Sequence, residues 1–231
     1  MSPLVIEIAP GEPSLPGTLY PASGGPQATA PLLVLAHGAG AGQASPFMRR
    51  FGALLAAQGV AVLTFDFPYM AAKRKLPDRP PQLERAFLAA MTAALAAVPS
   101  ARALFAGGKS MGGRMATHLA AQPERWTGPV PLAGAVAFGY PLRPPGPRGG
   151  DRVSHLRRLG VPTLVVQGTR DTFGGPDDVR AEVGDVPHLE ILPVPTGDHS
   201  LTVLKSAAAQ ADVDHDLATR VAAWMRRHAE V

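Results

Sequence analysis

The chain has 231 residues, 46% of them hydrophobic and 17% charged, enough to bury a sizeable core and suited to a single domain over residues 1–231. Its 22 basic and 18 acidic residues leave a net charge of +4, and the basic groups Lys73-Arg74-Lys75, Arg157-Arg158 and Arg226-Arg227 are not interleaved with aromatics, so no nucleic-acid partner is expected. The absence of cysteine excludes disulfides and thiolate metal sites; with no leader-like start and no apolar stretch near the roughly 20 residues of a membrane span, a cytoplasmic protein without a membrane partner is expected.

Leu4 to Ile8 and Thr18 to Tyr20 are short strand candidates around the turn-rich Pro10-Gly11-Glu12-Pro13, and residues 21–31 read as a loop. Leu32 to Ala36 is a continuous apolar run, as expected of a strand covered on both faces, and the glycine-rich loop 37–42 follows it. Ser45 and Pro46 start a helix with Phe47, Phe51, Leu54 and Leu55 at helical spacing, ended by Gly59. Val60 to Phe65 is the next buried strand, and Asp66-Phe67-Pro68-Tyr69 its outgoing loop. Leu83, Phe87, Met91, Leu95 and Val98 mark one face of a second helix, before a strand over 103–106. Leu132 to Phe138 is a further strand, followed by the Pro/Gly/Arg-rich segment 139–150 and a short helix bearing Val153, Leu156 and Leu159. Thr163 to Gln167 and Leu189 to Val194 are the last strands, separated by a brief helix from Pro176. The closing helix carries Val213, Leu217, Val221 and Trp224 on one face, with Asp212 and Asp214 near its start and Arg226 and Arg227 near its end, as the helix dipole favours. Strands alternating with helices predict an α/β fold, a mainly parallel sheet of about six to eight strands with helices on both faces and right-handed crossovers. In such a sheet the ligand crevice lies beyond the carboxyl ends of the strands.

Gly108-Lys109-Ser110-Met111-Gly112 joins the strand over 103–106 to a helix that places Met111, Met115 and Leu119 on one side and stops before Pro123. The pattern G-x-S-x-G is that of a nucleophile elbow, in which a serine with a strained backbone stands at a sharp strand-to-helix turn. Its neighbours two positions away approach so closely that only very small residues fit, and Gly108 and Gly112 satisfy this. The same residues end like a phosphate-binding loop, G-x-x-x-x-G-K-[ST], but Ala103 stands where that pattern needs glycine, and 103–106 is apolar strand rather than open loop.

A serine hydroxyl needs a base to take its proton, and the base needs a third group to hold it. His199, in Thr196-Gly197-Asp198-His199-Ser200, and Asp171, in Gly168-Thr169-Arg170-Asp171, each follow a strand and so reach the same edge as Ser110; the order Ser110, Asp171, His199 is the one associated with the elbow. The other histidines fit less well: His118, His155, His215 and His228 belong to helices, His188 precedes a strand, and His37 sits in the glycine-rich loop. Asp151 is the reserve for the acid, while Asp66 anchors its own loop and Asp198 adjoins the base. The backbone N–H of Met111, in the first turn of the helix, is one candidate oxyanion donor; the second is that of Ala39 or Gly40, in His37-Gly38-Ala39-Gly40. Lys109, Tyr69, Met70, Tyr140 and Arg143 are candidate substrate contacts from their loops, with side-chain packing as the alternative for each; His37, Gly38 and Gly40 are further candidates, with shaping of the glycine-rich loop as the alternative.

On His37-Gly38, Gly108-Lys109-Ser110-Met111-Gly112, Gly168-Thr169-Arg170-Asp171 and Gly197-Asp198-His199-Ser200, the chain from about residue 30 to its end resembles the serine hydrolases of the alpha/beta-hydrolase superfamily. Asp66-Phe67-Pro68-Tyr69-Met70 and Gly139-Tyr140-Pro141-Leu142 make it most similar to the compact KANL/Tex-type branch, near the dienelactone hydrolases. The latter use a cysteine nucleophile, so their activity does not carry over to Ser110. The resemblance implies acyl transfer to water from a small ester-like substrate through an acyl-serine, with no metal or organic cofactor. Ser110 would be the nucleophile, His199 base and then acid, Asp171 its orienting group, and Met111 with Ala39 the oxyanion donors. The segment 139–162 is too short for the large lid many lipases insert there, which predicts an open, shallow site. The rival expectation is a hydrolase-like scaffold that binds a protein partner with little catalysis.

Overall fold

A computed structural model describes residues 1–24, 30–143, 150–203 and 206–229. The loops expected over 21–31 and 139–150 therefore lie partly outside the described residues. The strands are β1 (Ser2–Ile6), β2 (Leu15–Tyr20), β3 (Leu32–Ala36), β4 (Ala61–Phe65), β5 (Leu104–Lys109), β6 (Leu132–Phe138), β7 (Thr163–Gly168) and β8 (Leu189–Val194). The helices are α1 (Pro46–Ala57), α2 (Pro68–Ala71), α3 (Pro80–Ala97), α4 (Met111–Ala120), α5 (Pro176–Val183) and α6 (Ala207–Ala229).

These strands form one eight-stranded sheet in the order β1-β2-β4-β3-β5-β6-β7-β8. From β4 to β8 every neighbour is parallel, whereas β1 pairs antiparallel with β2, and β2 with β4. This is an alpha/beta-hydrolase architecture, an open, mostly parallel sheet with an antiparallel edge. The hairpin register, Ser2 opposite Leu19 and Ile6 opposite Leu15, moves β1 earlier than the expected Leu4 to Ile8 and extends β2 before Thr18.

The pleat of β3 divides its side chains between two cores. Leu32, Val34 and Ala36 pack with Phe87 and Met91 of α3, Met115 and Leu119 of α4 and Val179 of α5. Leu33 and Leu35 pack with Phe51 and Leu55 of α1 and Leu217, Val221 and Trp224 of α6. Burial on both faces explains why β3 to β7 read as continuous apolar runs rather than as alternation. Two local expectations differ. Residues 68–71, read as loop, close one helical turn, because Pro68 at its first position carries a preset φ and needs no N–H partner. Asp214 is not near the start of α6, which begins at Ala207; it is buried and ion-paired to Arg50 of α1 at 2.8 Å.

The parallel register aligns Ala36 with Gly108, Gly108 with Ala137, and Gly168 with Val194. The loops that leave these strands therefore share one edge of the sheet. In the described part of 139–162, Leu156–Arg158 forms only a 3-10 turn where a short helix was expected.

Candidate active site

β5 runs to Lys109, past the expected end at residue 106, and delivers Ser110 directly onto the first residue of α4. Ser110 has φ 50° and ψ −112°, a conformation non-glycine residues avoid, and its N–H donates to Phe138 O at 2.9 Å. A methyl at Gly108 would collide with the backbone of Gly112, and one at Gly112 with the backbone of Ala36 and His37. Two glycines thus let the turn close and let α4 sit against β3.

The hydroxyl of Ser110 lies 2.9 Å from His199 Nε2, and His199 Nδ1 lies 2.8 Å from Asp171 Oδ2. A carboxylate only accepts, so Nδ1 carries the ring proton, and Nε2 is left to accept from the serine O–H. Asp171 is fully placed: Oδ2 also accepts from Gln167 Nε2 at 2.8 Å, and Oδ1 from the Phe173 N–H at 2.8 Å. The Phe173 ring packs on the His199 imidazole with centroids 4.2 Å apart. His199 sits in a turn bracketed by positive-φ Thr196 and Leu201, and the Asp198 carboxylate accepts from the N–H groups of Ser200 and Thr202 at 2.7 and 2.9 Å.

Among the expected oxyanion groups, Met111 is the first residue of α4, where the helix dipole favours negative charge. Gly38 is buried against the elbow, close enough that an added Cβ would lie 3.5 Å from Ser110 Cβ. Ala39 and Gly40 follow it, exposed, with Gly40 at φ +78°. Met70 borders the end of the same loop, beside Gly42.

The remaining expected substrate contacts are placed differently. His37 is fully buried: its Nδ1–H donates to Gly38 O at 2.8 Å and its Nε2 accepts from the Phe67 N–H at 3.0 Å. Burial holds its pKa below the ordinary histidine value, so a neutral ring with both nitrogens engaged supports the loop and offers nothing to a substrate. Tyr69 is buried with its ring 5.9 Å from that of His37. Tyr140 is buried too, donating its hydroxyl to Arg152 O at 2.6 Å and its N–H to Gln167 Oε1 at 2.7 Å. Both rings are buried in the core under the loops, and the Tyr69 hydroxyl faces the backbone of Gly40. Arg143 turns away to α5, where it pairs with Asp178 and Glu182. Lys109 is buried, and its Nζ donates to the backbone O of His199 at 2.6 Å.

The alternative acids are occupied elsewhere. Asp151 accepts from the N–H groups of Val153 and Ser154, and Asp66 from that of Gln43. Two participants went unrecognised in the sequence, Gln167 and Phe173. A glutamine ending an otherwise apolar strand was the available signal, since a buried amide must find partners; nothing local distinguishes Phe173. Among the described residues no group of His, Asp or Glu could hold a metal ion. An apolar cleft lined by Leu95, Val98, Ala101, Trp126, Pro129 and Val130 opens at the opposite, amino edge of the sheet, away from Ser110.

This arrangement sits in a chain whose residues 29–226 match the sequence family described as alpha/beta hydrolase domain. The chain belongs to the alpha/beta hydrolases. Solved structures share its fold at low identity. Est1E from Butyrivibrio proteoclasticus, solved with ferulic acid, is 14% identical with a TM-score of 0.74, over 97% of this chain and 99% of that one. A dienelactone hydrolase from Anabaena variabilis is 18% identical with a TM-score of 0.67, over 98% and 97%. A serine hydrolase without a lid from Xanthomonas campestris is 16% identical with a TM-score of 0.71, over 97% and 94%. Among curated proteins, none matches the chain by sequence.

Proposed function

We propose that the protein is a serine hydrolase that cleaves small ester-like substrates through an acyl-serine. The observation that carries this reading is the continuous hydrogen-bonded chain Ser110 Oγ, His199, Asp171, with each link below 3 Å. Ser110 Oγ attacks the carbonyl carbon as His199 Nε2 takes its proton, and the Asp171 carboxylate stabilises the imidazolium. The oxyanion is met by the N–H of Met111, with Ala39 the second donor and Gly40 the alternative. Collapse releases the alcohol, which takes the proton from His199. Water then enters, gives its proton to His199 and attacks the acyl carbon; as the acyl–oxygen bond breaks, His199 returns that proton to Ser110 Oγ and the acid departs. The fold of a lidless hydrolase and the modest 139–162 connection support a small, accessible substrate.

Labelling of the purified protein with a fluorophosphonate probe tests the nucleophile without knowledge of the substrate. The parent should label, and Ser110→Ala should not, with unfolding midpoints alike. A folded parent that fails to label would favour a non-catalytic scaffold that binds a protein partner.

A further inference from the structure

Lys109 stands directly before the candidate nucleophile, and its amine is spent on the backbone of the candidate base. Burial is the first point. The residue is 9% exposed, and carrying an ammonium into such a place is costly unless it is partnered. A methionine would fill the same space without that cost, so the charge calls for a reason. Its partners are specific: Nζ donates to His199 O at 2.6 Å and lies 5.9 Å from the centroid of the Phe47 ring, with the negative charges of Asp171 and Asp198 nearby. Gly139, at φ +62°, makes room for both ends of this contact, because an added Cβ would reach 3.0 Å from Nζ and would collide with His199 O.

Second, the turn that carries His199 has little regular structure of its own. It lies beyond β8 between two positive-φ residues, Thr196 and Leu201. Consecutive residues of the elbow therefore hold one histidine at two points: Lys109 Nζ holds its carbonyl and Ser110 Oγ meets its ring. Because residues 109 and 110 are adjacent in a strained, closely packed turn, the backbone anchors of those two grips are fixed relative to one another, and burial restrains the Lys109 side chain that spans the rest.

We infer that Lys109 is a positioning residue that sets the His199 imidazole at reacting distance from Ser110 by tethering the His199 carbonyl to the strand bearing the nucleophile. This rests on the proposed hydrolase reading for its catalytic consequence, but the tether itself is a property of the folded chain. A displacement near 1 Å at a reacting centre lowers turnover by about 100-fold. Loss of the tether therefore reduces kcat and leaves KM unchanged, since Lys109 has no free surface to offer a substrate.

The experiment compares the parent, Lys109→Met and Lys109→Arg, the last keeping a charged donor. Three readings are taken: fluorophosphonate labelling rate, kcat and KM for 4-nitrophenyl acetate, and the low-field NMR signal of the His199 Nδ1 proton. The expected result for Lys109→Met is a 10- to 100-fold fall in labelling rate and kcat, unchanged KM, and broadening of the Nδ1 signal. Lys109→Arg should recover part of each. A Lys109→Met protein that labels and turns over like the parent with a sharp Nδ1 signal overturns the inference while leaving the hydrolase reading intact. A raised KM with parental kcat also overturns it, by assigning Lys109 to substrate. If the parent does not label at all, the hydrolase reading fails, and the NMR signal alone decides the tether: parental sharpness in Lys109→Met refutes it. Should Lys109→Met not fold, Lys109→Leu, which also lacks a donor, takes its place, and a fall in kcat at unchanged KM together with a broadened signal is again required.

Discussion

Gln167, buried at the end of β7, ties the Asp171 carboxylate to the backbone around it. Its Nε2 is shared among Asp171 Oδ2, Gly174 O at 2.6 Å and Tyr140 O at 3.2 Å, while its Oε1 takes the Tyr140 N–H. Gln167→Leu would leave the Tyr140 N–H and the Gly174 carbonyl without partners in a buried place, and would take one of two donors from Tyr140 O and from Asp171 Oδ2. Each unsatisfied group costs about 1–3 kcal/mol. The expected outcome is a loss of about 3 kcal/mol in urea unfolding together with a roughly tenfold lower fluorophosphonate labelling rate, because Asp171 loses one of the groups that aims it. A loss of stability with parental labelling would show that Phe173 N–H and His199 suffice to hold the acid. At this scale the sequence was readable where chemistry is written as a residue type after a strand: Ser110, Asp171 and His199, singled out by position, are brought within hydrogen-bond distance of one another. It was unreadable where direction matters. Nothing in the text around Tyr69, Tyr140 or Arg143 says whether a loop side chain turns to solvent, core or a neighbouring helix, and that choice follows from long-range packing, as with Asp178 and Glu182 of α5 beside Arg143.

The elbow is the element whose sequence and geometry agree most closely. Three successive close approaches, Gly108 to Gly112, Gly112 to Ala36, and Gly113 to Ala137 of β6, hold α4 against the sheet. The collision expected in Gly112→Ala is with main chain, which cannot rotate aside, so an overpacking cost of about 1–3 kcal/mol is expected. The denaturant midpoint of Gly112→Ala should fall accordingly, with fluorophosphonate labelling reduced as the N–H of Met111 is displaced; an unchanged midpoint would mean that β3 yields. The motif was legible because glycine is the one residue type whose presence directly encodes such proximity. Strand ends were less so: β1 and β2 take their limits from a hairpin register that no local pattern contains.

Across the molecule, polar groups cluster on the outer side of α4, and they couple stability to pH. His155 is half-buried, meets the His118 ring edge-on with centroids 4.3 Å apart, and shares a 2.9 Å hydrogen bond with Thr117 Oγ1. Burial, then the charges of His118 and Arg114, lower its pKa to about 3. A base whose folded pKa is depressed binds its proton more readily when unfolded, so stability is full above the unfolded value near 6.5 and declines as pH falls toward about 3. Between pH 6.5 and 5 this histidine alone contributes a loss of about 2 kcal/mol. Glu84 acts in a lower window: burial pushes its carboxyl up, but hydrogen bonds from His118 and Arg125 outweigh that and hold it below the usual value, so its contribution is lost only as pH falls through its folded pKa. Urea unfolding at pH 7 and pH 5 should show the first step, and His155→Gln should flatten it; equal slopes would mean that the half-buried ring gains its proton without opening the structure. The parallel sheet and its covered faces were legible in the apolar runs, whereas the strand order was not, since β3 lies between β4 and β5 through crossovers that leave no trace in either strand.

The chain contains no cysteine, and the elbow sets Ser110 at the start of a helix beside an imidazole. An exchange of one atom there, Ser110→Cys, would give the whole molecule a single sulfhydryl, placed where a helix terminus and a histidine both favour the thiolate. Ultraviolet absorbance or a thiol reagent would then report on that one position against no background, making the electrostatic character of the elbow readable by ordinary spectrophotometry, with no substrate required.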